Sequence, residues 1–292
     1  MSGYSIKDLK NITGINAHTI RIWEKRYGFL NPERTATHNR IYSGEDLKKL
    51  IFATLLNNNG MKISKIAKMS DAEINEAVLR LSESGDSSIN SHIENLKLIV
   101  MNMDEVKFEK LFNHLVLHLG FEEVVMKIFL PLSMKLFILS QTKALSAVHV
   151  NFFSSLYRQK LYVAIDGLPS PEKLDAKLFV MFLPENEFLD TGLIFCNYMA
   201  RKRGFRTLCL GASCSREELA DIIKKNPECY LFSVATLSKT DLTEYYVNVL
   251  SACNDNQKLL IGGSQNVTIR ITDSRLTKFK EYTEFQDFLN QI

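Results

Sequence analysis

Apolar residues recur at helical spacing from Ile6 to Leu81, then again from Ile89 to Asp166, and the period changes after Lys177. The first segment reads as short helices. Ser5-Ile6-Lys7-Asp8-Leu9 opens one, and Thr13-Gly14-Ile15-Asn16 is a turn. A second helix runs from Ala17 to Tyr27, with Asn16 as its N-cap and Gly14 at the sharp bend. On that helix His18, Arg21, Ile22 and Lys25 share one face, while Ile20, Trp23 and Tyr27 share another. One face can pack and the other can meet a partner. Past Pro32, the run from Arg34 to Tyr42 reads as a small hairpin. Ser43 caps the next helix, with Asp46 as an imperfect capping box, and Leu47, Leu50, Ile51 and Leu55 form its apolar stripe. Shorter helices follow at Lys62–Met69 and Asp71–Leu81.

Ser82 to Ser88 has linker composition. Beyond it four helices are expected, Ile89–Asn102, Asp104–Leu119, Phe121–Gln141 and Lys143–Asp166. Gly120 stops the second, and Pro131 kinks or interrupts the third. Their phenylalanines (Phe108, Phe112, Phe121, Phe129, Phe137, Phe152, Phe153) read as core. Leu178 to Leu183 is a continuous apolar run, as in a strand buried on both faces. A helix from Glu187 to Arg203 follows it. Strands at Thr207–Leu210, Tyr230–Val234, Leu259–Ile261 and Lys278–Lys280 then alternate with helices. Such alternation implies a parallel sheet with right-handed crossovers, and five strands fit the flavodoxin-like order. The expected fold is multidomain: an all-α winged helix-turn-helix head (1–81), a linker (82–88), a helical bundle (89–170) and an α/β flavodoxin-like five-stranded parallel sheet (175–292).

Composition narrows the class. With 46% hydrophobic and 24% charged residues the 292-residue chain is ordinary globular protein, without an apolar run long enough to span a bilayer or a signal-peptide core. A cytoplasmic protein with no membrane partner is expected. The five cysteines form no CxxC or His/Cys ligand spacing, so reduced thiols and no metal are expected. Residues 1–70 hold 12 Lys+Arg against 5 Asp+Glu, a balance of +7; the whole chain is +3, which leaves −4 beyond. A positive head on a mildly acidic body suits attraction to phosphate. The helix face then offers His18, Arg21 and Lys25 to a DNA groove, and the hairpin adds Arg34, Asn39, Arg40 and Tyr42.

Over about its first 70 residues the chain resembles the MerR family of transcription factors. The resemblance rests on Tyr4-Ser5-Ile6, Thr13-Gly14-Ile15, Thr19-Ile20-Arg21-Ile22-Trp23-Glu24 and Arg40-Ile41-Tyr42-Ser43, in order and at the family's spacing. Ile22-Trp23 departs from the two aromatics common there. The resemblance implies operator DNA as partner, RNA polymerase at the promoter, and a homodimer or homotetramer.

A bundle followed by a flavodoxin-like domain is similar to the cobalamin-binding module, and joined to such a head it resembles the family's light-responsive, adenosylcobalamin-dependent repressors. The resemblance places Glu187 and Gly192 in the cofactor loop, Ser233 at the nucleotide tail, Gly262-Gly263 after the fourth strand, and His149 over the corrin. It also shows departures. Leu189 stands where the cobalt-ligating histidine belongs, and an isobutyl group has no lone pair. Ile138 and Val148 stand where the bundle motif has tryptophan and glutamate. The expected function is a DNA-binding regulator with no cofactor, not an enzyme, whose C-terminal module serves oligomerisation and sensing. The alternative is an adenosylcobalamin-dependent light-sensing repressor with a non-standard cobalt site.

Overall fold

Serine–carboxylate pairs start three helices of the head, whereas Asn16, the expected N-cap of the second, makes no side-chain cap hydrogen bond. In the computed structural model, which describes residues 4–13, 15–34, 40–58, 60–81, 87–141, 145–169, 176–235, 242–263, 266 and 269–292, they precede helices α1 (Ile6–Thr13), α3 (Gly44–Asn58) and α5 (Asp71–Leu81). The box expected at Ser43 is complete: Asp46 N–H donates to Ser43 Oγ at 3.0 Å, and Ser43 N–H donates to Asp46 Oδ2 at 2.9 Å. Asp46 is buried, and its other oxygen accepts from Asn31 N–H at 3.0 Å. Ser5 with Asp8 and Ser70 with Glu73 repeat the device. Each box satisfies helix-start N–H groups that would otherwise lack partners. Gly14, Asn39, most of the expected linker (82–86) and the Leu55 side chain lie outside the described residues.

The chain divides into two compact units, Met1–Leu9 with Ile15–Tyr157, and Lys10–Gly14 with Arg158–Ile292. In the first, α2 (Ala17–Tyr27) has the bounds its pattern predicts. Strands β1 (Glu33–Arg34) and β2 (Arg40–Ile41) pair antiparallel as the wing. The short α4 (Ile63–Ile66) sits between α3 and α5. One core holds Leu9, Ile20, Trp23, Phe29, Leu30, Tyr42, Leu50, Phe52 and Ile66. The bundle follows with α6 (Ser87–Met101), α7 (Glu105–Leu119), α8 (Phe121–Val124), α9 (Leu130–Gln141) and the start of α10 (Ala147–Asp166). Between α8 and α9, Val125–Phe129 takes a π-type turn. Pro131 explains it: the ring lacks an N–H and would crowd the Lys127 carbonyl of a regular helix, so the helix widens there and continues. Of the phenylalanines expected as core, Phe108, Phe112, Phe129 and Phe153 are buried and Phe121, Phe137 and Phe152 half-buried; the Phe129 ring lies 5.8 Å from Phe108, 5.4 Å from Phe153 and 5.2 Å from Tyr157.

The second unit is built on β3 (Leu178–Pro184), β4 (Arg206–Cys214), β5 (Tyr230–Val234), β6 (Lys258–Gly262) and β7 (Leu276–Lys278), all parallel, in the flavodoxin-like order β4-β3-β5-β6-β7. Helices α11 (Thr191–Lys202), α12 (Arg216–Lys225), α13 (Thr243–Ala252) and α14 (Tyr282–Gln291) flank it. Phe179 to Leu183 are fully buried, as a strand covered on both faces requires. The edge strand β4 runs past its expected end because its pairing with β3 shifts register twice, near Gly211 (φ 80°) and Ser213 (φ 55°). Such bulges also discourage pairing with a foreign strand. Strand β7 begins two residues earlier than expected, because Asp273 accepts from the N–H groups of Arg275 and Leu276 and turns the chain into the ladder.

Two glycines set a stability test. Gly28 (φ 59°) closes α2 with open space around it, whereas a Cβ on Gly263 (φ 96°) would lie 2.4 Å from the Ala235 carbonyl oxygen. Gly28→Ala should cost about 1 kcal/mol through backbone strain alone. Gly263→Ala should exceed the roughly 1–3 kcal/mol of a strained φ, because backbone at the end of β5 must also move. Urea unfolding of the full chain, followed by circular dichroism, ranks the two; equal midpoints would contradict the close approach.

Candidate nucleic-acid interface and the sheet's switch point

Helix α2 turns Ile20 and Trp23 into the core and leaves His18, Arg21 and Lys25 exposed. Ile22, 40% exposed, is an apolar neighbour on that face. The helix ends at Gly28, whose N–H donates to the Glu24 carbonyl while Phe29 N–H reaches back to the Trp23 carbonyl, a left-handed cap. The Phe29 ring then meets Trp23 edge-on, 6.3 Å between centroids.

The wing is fastened to this helix by Glu24, a residue not expected at the site. Its carboxylate accepts from Arg40 Nε at 2.9 and 3.1 Å and from the Tyr42 hydroxyl at 3.0 Å. Glu24 is also the single acidic residue of α2, the one sequence signal that could have singled it out. The ion pair and hydrogen bond hold the Arg40 guanidinium protonated still more firmly than usual. Burial, with help from Glu24, pushes the Tyr42 hydroxyl well above its ordinary value.

Tyr42, expected at the DNA surface, is instead fully buried in the head core. Its backbone pairs with Tyr4 through two 2.8 Å hydrogen bonds, which turns the ring inward. Arg34 is exposed and stands opposite Arg40 across the ladder, so two cations share one short strand pair.

In the second unit the topological switch point lies between β3 and β5, where open α/β sheets bind ligands. The helix expected from Glu187 begins only at Thr191, because Glu187 folds back on its own loop. Its Oε1 accepts from the Phe188 and Leu189 N–H groups, both at 3.2 Å. Asn186 and the end of β4 are tied together, Asn186 N–H donating to Ser213 Oγ at 3.2 Å. Asp190 is held by Arg158 through Nε at 3.1 Å and Nη2 at 2.9 Å. Leu189 is 48% exposed.

The remaining expected positions of this unit face the protein's own groups. Ser233 is fully buried and shares a 2.9 Å hydrogen bond with the Tyr246 hydroxyl. A Cβ on Gly192 would lie 2.7 Å from the Tyr282 hydroxyl. Gly262 accepts from Ala235 N–H, and Gly263 abuts the Ala235 backbone. Burial pushes the Tyr246 and Tyr282 hydroxyls far above their ordinary range, as neutral core groups.

In the first unit Ile138 is buried within the same cluster as the head core, so its side chain serves packing. Val148 is exposed. His149 is partly buried, and its Nδ1 has no hydrogen-bond partner. Within the second unit, the position where the cobalamin resemblance calls for a histidine has no cobalt-ligating group. The ligand position carries an alkyl group, the neighbouring carboxylate is spent on its own loop, and the serine is held by a tyrosine.

A helix with an exposed basic face and a clamped wing is followed by a bundle and a flavodoxin-like sheet. Residues 4–73 match the model of the MerR HTH family regulatory proteins. The HTH-type transcriptional regulator MlrA of Salmonella typhimurium is 29% identical over 76 residues, 26% of this chain and 31% of that protein, so the match spans about a third of that relative. The HTH-type transcriptional repressor CarH of Myxococcus xanthus is 22% identical over 272 residues, 89% of each. Among solved structures, the monomethylamine corrinoid protein of Methanosarcina barkeri covers 68% of this chain and 97% of its own, with TM-score 0.52 and 15% identity, a likeness of fold. Residues 4–73 are thus a MerR-type HTH segment, and the chain beyond them shares the fold of a corrinoid protein.

The Glu24 clamp gives a measurable coupling. Side chains of Arg40 and Glu24 are 31% and 17% exposed. A Glu24→Gln/Arg40→Gln double-mutant cycle should therefore give about 1 kcal/mol, at the upper end for ion pairs in partial contact with water. Tyr42→Phe should cost about as much through one lost hydrogen bond. Thermal unfolding reports both; additive single effects would show that the clamp carries no coupling.

Proposed function

We propose that this chain is a sequence-specific transcriptional regulator that binds an inverted-repeat operator as a dimer or higher oligomer, and that it does so without cobalamin. The observation that carries the reading is the pairing of an exposed cationic face on α2 with a wing fixed to that same helix by Glu24. Arg21 and Lys25, with His18 beside them, enter the major groove and read or flank base edges. Arg34 and the outer part of Arg40 meet backbone phosphate, and Tyr42 positions Arg40 from inside. Asn39 is assigned to the wing tip on the sequence pattern. The C-terminal module serves self-association and sensing of a signal other than cobalamin, with RNA polymerase the further partner at a promoter. The protein works in the cytoplasm and catalyses no reaction. Among its described residues no helix is long and apolar enough to cross a membrane.

The second reading is an adenosylcobalamin-dependent light-sensing repressor. It draws on the fold likeness to a corrinoid protein and needs a cobalt ligand other than residue 189.

DNA-binding variants test the first reading. With a duplex selected from a random pool, Arg21→Ala should lose about 1–3 kcal/mol of discrimination against non-cognate duplex. Arg34→Ala should weaken binding to every duplex and make the log affinity against log salt slope shallower by about one. Anisotropy titrations at several salt concentrations separate the two; wild-type behaviour of both variants would remove this surface from the interface. Leu189→His tests the module. With Ser233, Gly192 and Gly263 engaged by Tyr246, Tyr282 and Ala235, the imidazole alone should not confer binding. Protein mixed with adenosylcobalamin in the dark should be colourless after desalting. Retained colour would show a pocket still open.

A further inference from the structure

The exposed face of α2 carries one residue that charge does not explain. Among the described side chains of residues 4–81, Ile22 is the one large apolar group left exposed, at 40%. It stands in the middle of the basic face. His18 lies one turn before it, Lys25 and Arg26 lie one turn after it, and Arg21 precedes it directly; all four are exposed. Arg26 sets its guanidinium over the adjacent Tyr27 ring, 5.5 Å from the centroid, which leaves His18, Arg21 and Lys25 as the rim around Ile22. Packing of the helix is served elsewhere, by the buried Ile20 and Trp23. Isoleucine is also a poorer helix former than the alanine, lysine or arginine that suit an exposed position. Neither the core nor the helix therefore accounts for a branched alkyl group at this place.

We propose that Ile22 is a specificity-determining residue that reads thymine, by packing against a thymine 5-methyl group in the major groove. The inference rests on the operator-binding reading and deepens it by naming a base that the α2 face selects. The chemistry of the groove leaves an alkyl group this one choice. Base edges there present hydrogen-bond donors and acceptors, and the one apolar group among the unmodified bases is the thymine methyl. Against a donor or acceptor, the Ile22 side chain would displace water without replacing the lost hydrogen bond, which is costly. Against the methyl it removes apolar surface of both partners from water, which is favourable. Arg21 and Lys25 draw the same face to the duplex by charge, and as base readers they suit guanine edges. Ile22 thus supplies a preference that its basic neighbours lack.

The experiment uses the full chain and an operator selected from a random duplex pool, with each thymine of one half-site replaced in turn by deoxyuridine. Uracil lacks only the methyl, so base pairing and every hydrogen-bonding group in the groove are kept. Anisotropy titrations should find a position where uracil weakens wild-type binding about fourfold, the worth of one buried methyl group. Ile22→Ala, which favours the helix and disturbs no core, should bind the thymine operator at least about fourfold more weakly. At that position it should distinguish thymine from uracil by less than about twofold, because the shortened side chain no longer covers the methyl. Its salt slope should stay that of the wild type, since no phosphate contact is lost. Ile22→Val, which keeps a branched apolar tip, should retain most of the thymine preference, and circular dichroism checks each fold. An operator bound equally with thymine and uracil at every position would overturn this inference alone, as would an Ile22→Ala chain with the full wild-type uracil penalty. A pool that yields no operator would overturn the DNA-binding reading, and this inference with it.

Discussion

The Glu24 carboxylate is the constraint on which the head depends. Strands of two residues cannot hold their own register in water, and here they bring Arg34 and Arg40 face to face. Glu24 offsets that repulsion by taking the Arg40 guanidinium on one side and the Tyr42 hydroxyl on the other. Tyr42 in turn is buried and bridged to Tyr4, so one carboxylate links α2, the wing and the Tyr4 segment. The +7 balance of the first 70 residues is thereby arranged rather than spread: Arg21 and Lys25 stay exposed while Arg40 is aimed.

In the sheet the governing constraint is satisfaction of buried hydroxyls and close backbone contacts. A tyrosine hydroxyl as deeply buried as that of Tyr246 needs a hydrogen-bond partner, and Ser233 supplies it. Gly192 gives room to the Tyr282 hydroxyl, and Gly263 lets the ends of β5 and β6 approach. Each of these three has a complete structural reason within the second unit. None of those reasons calls on a cofactor.

Much of this architecture was legible in the sequence. Helix α2 has its predicted bounds because its apolar and basic residues separate cleanly at helical period, and β3 starts where predicted and runs one residue further, to Pro184, because an unbroken apolar run has few other homes. Tyr42 was misassigned since an aromatic beside two cations looks like a contact residue; only the bridge to Tyr4 reveals that it points inward. Glu24 was missed because an acidic residue on a basic helix acquires meaning only when Arg40 arrives from another element. Ile138 looked like the remnant of a cofactor motif, yet it packs with the core of the first unit. Local pattern reports which faces are apolar; it does not report which distant group completes a carboxylate or a hydroxyl.

Operator affinity of the apo-protein, measured by anisotropy in the dark without adenosylcobalamin, in the dark with it, and after illumination, tests the account most directly. The account predicts one affinity under all three conditions. Binding that appears only when the cofactor is supplied, or that disappears on illumination, would contradict it.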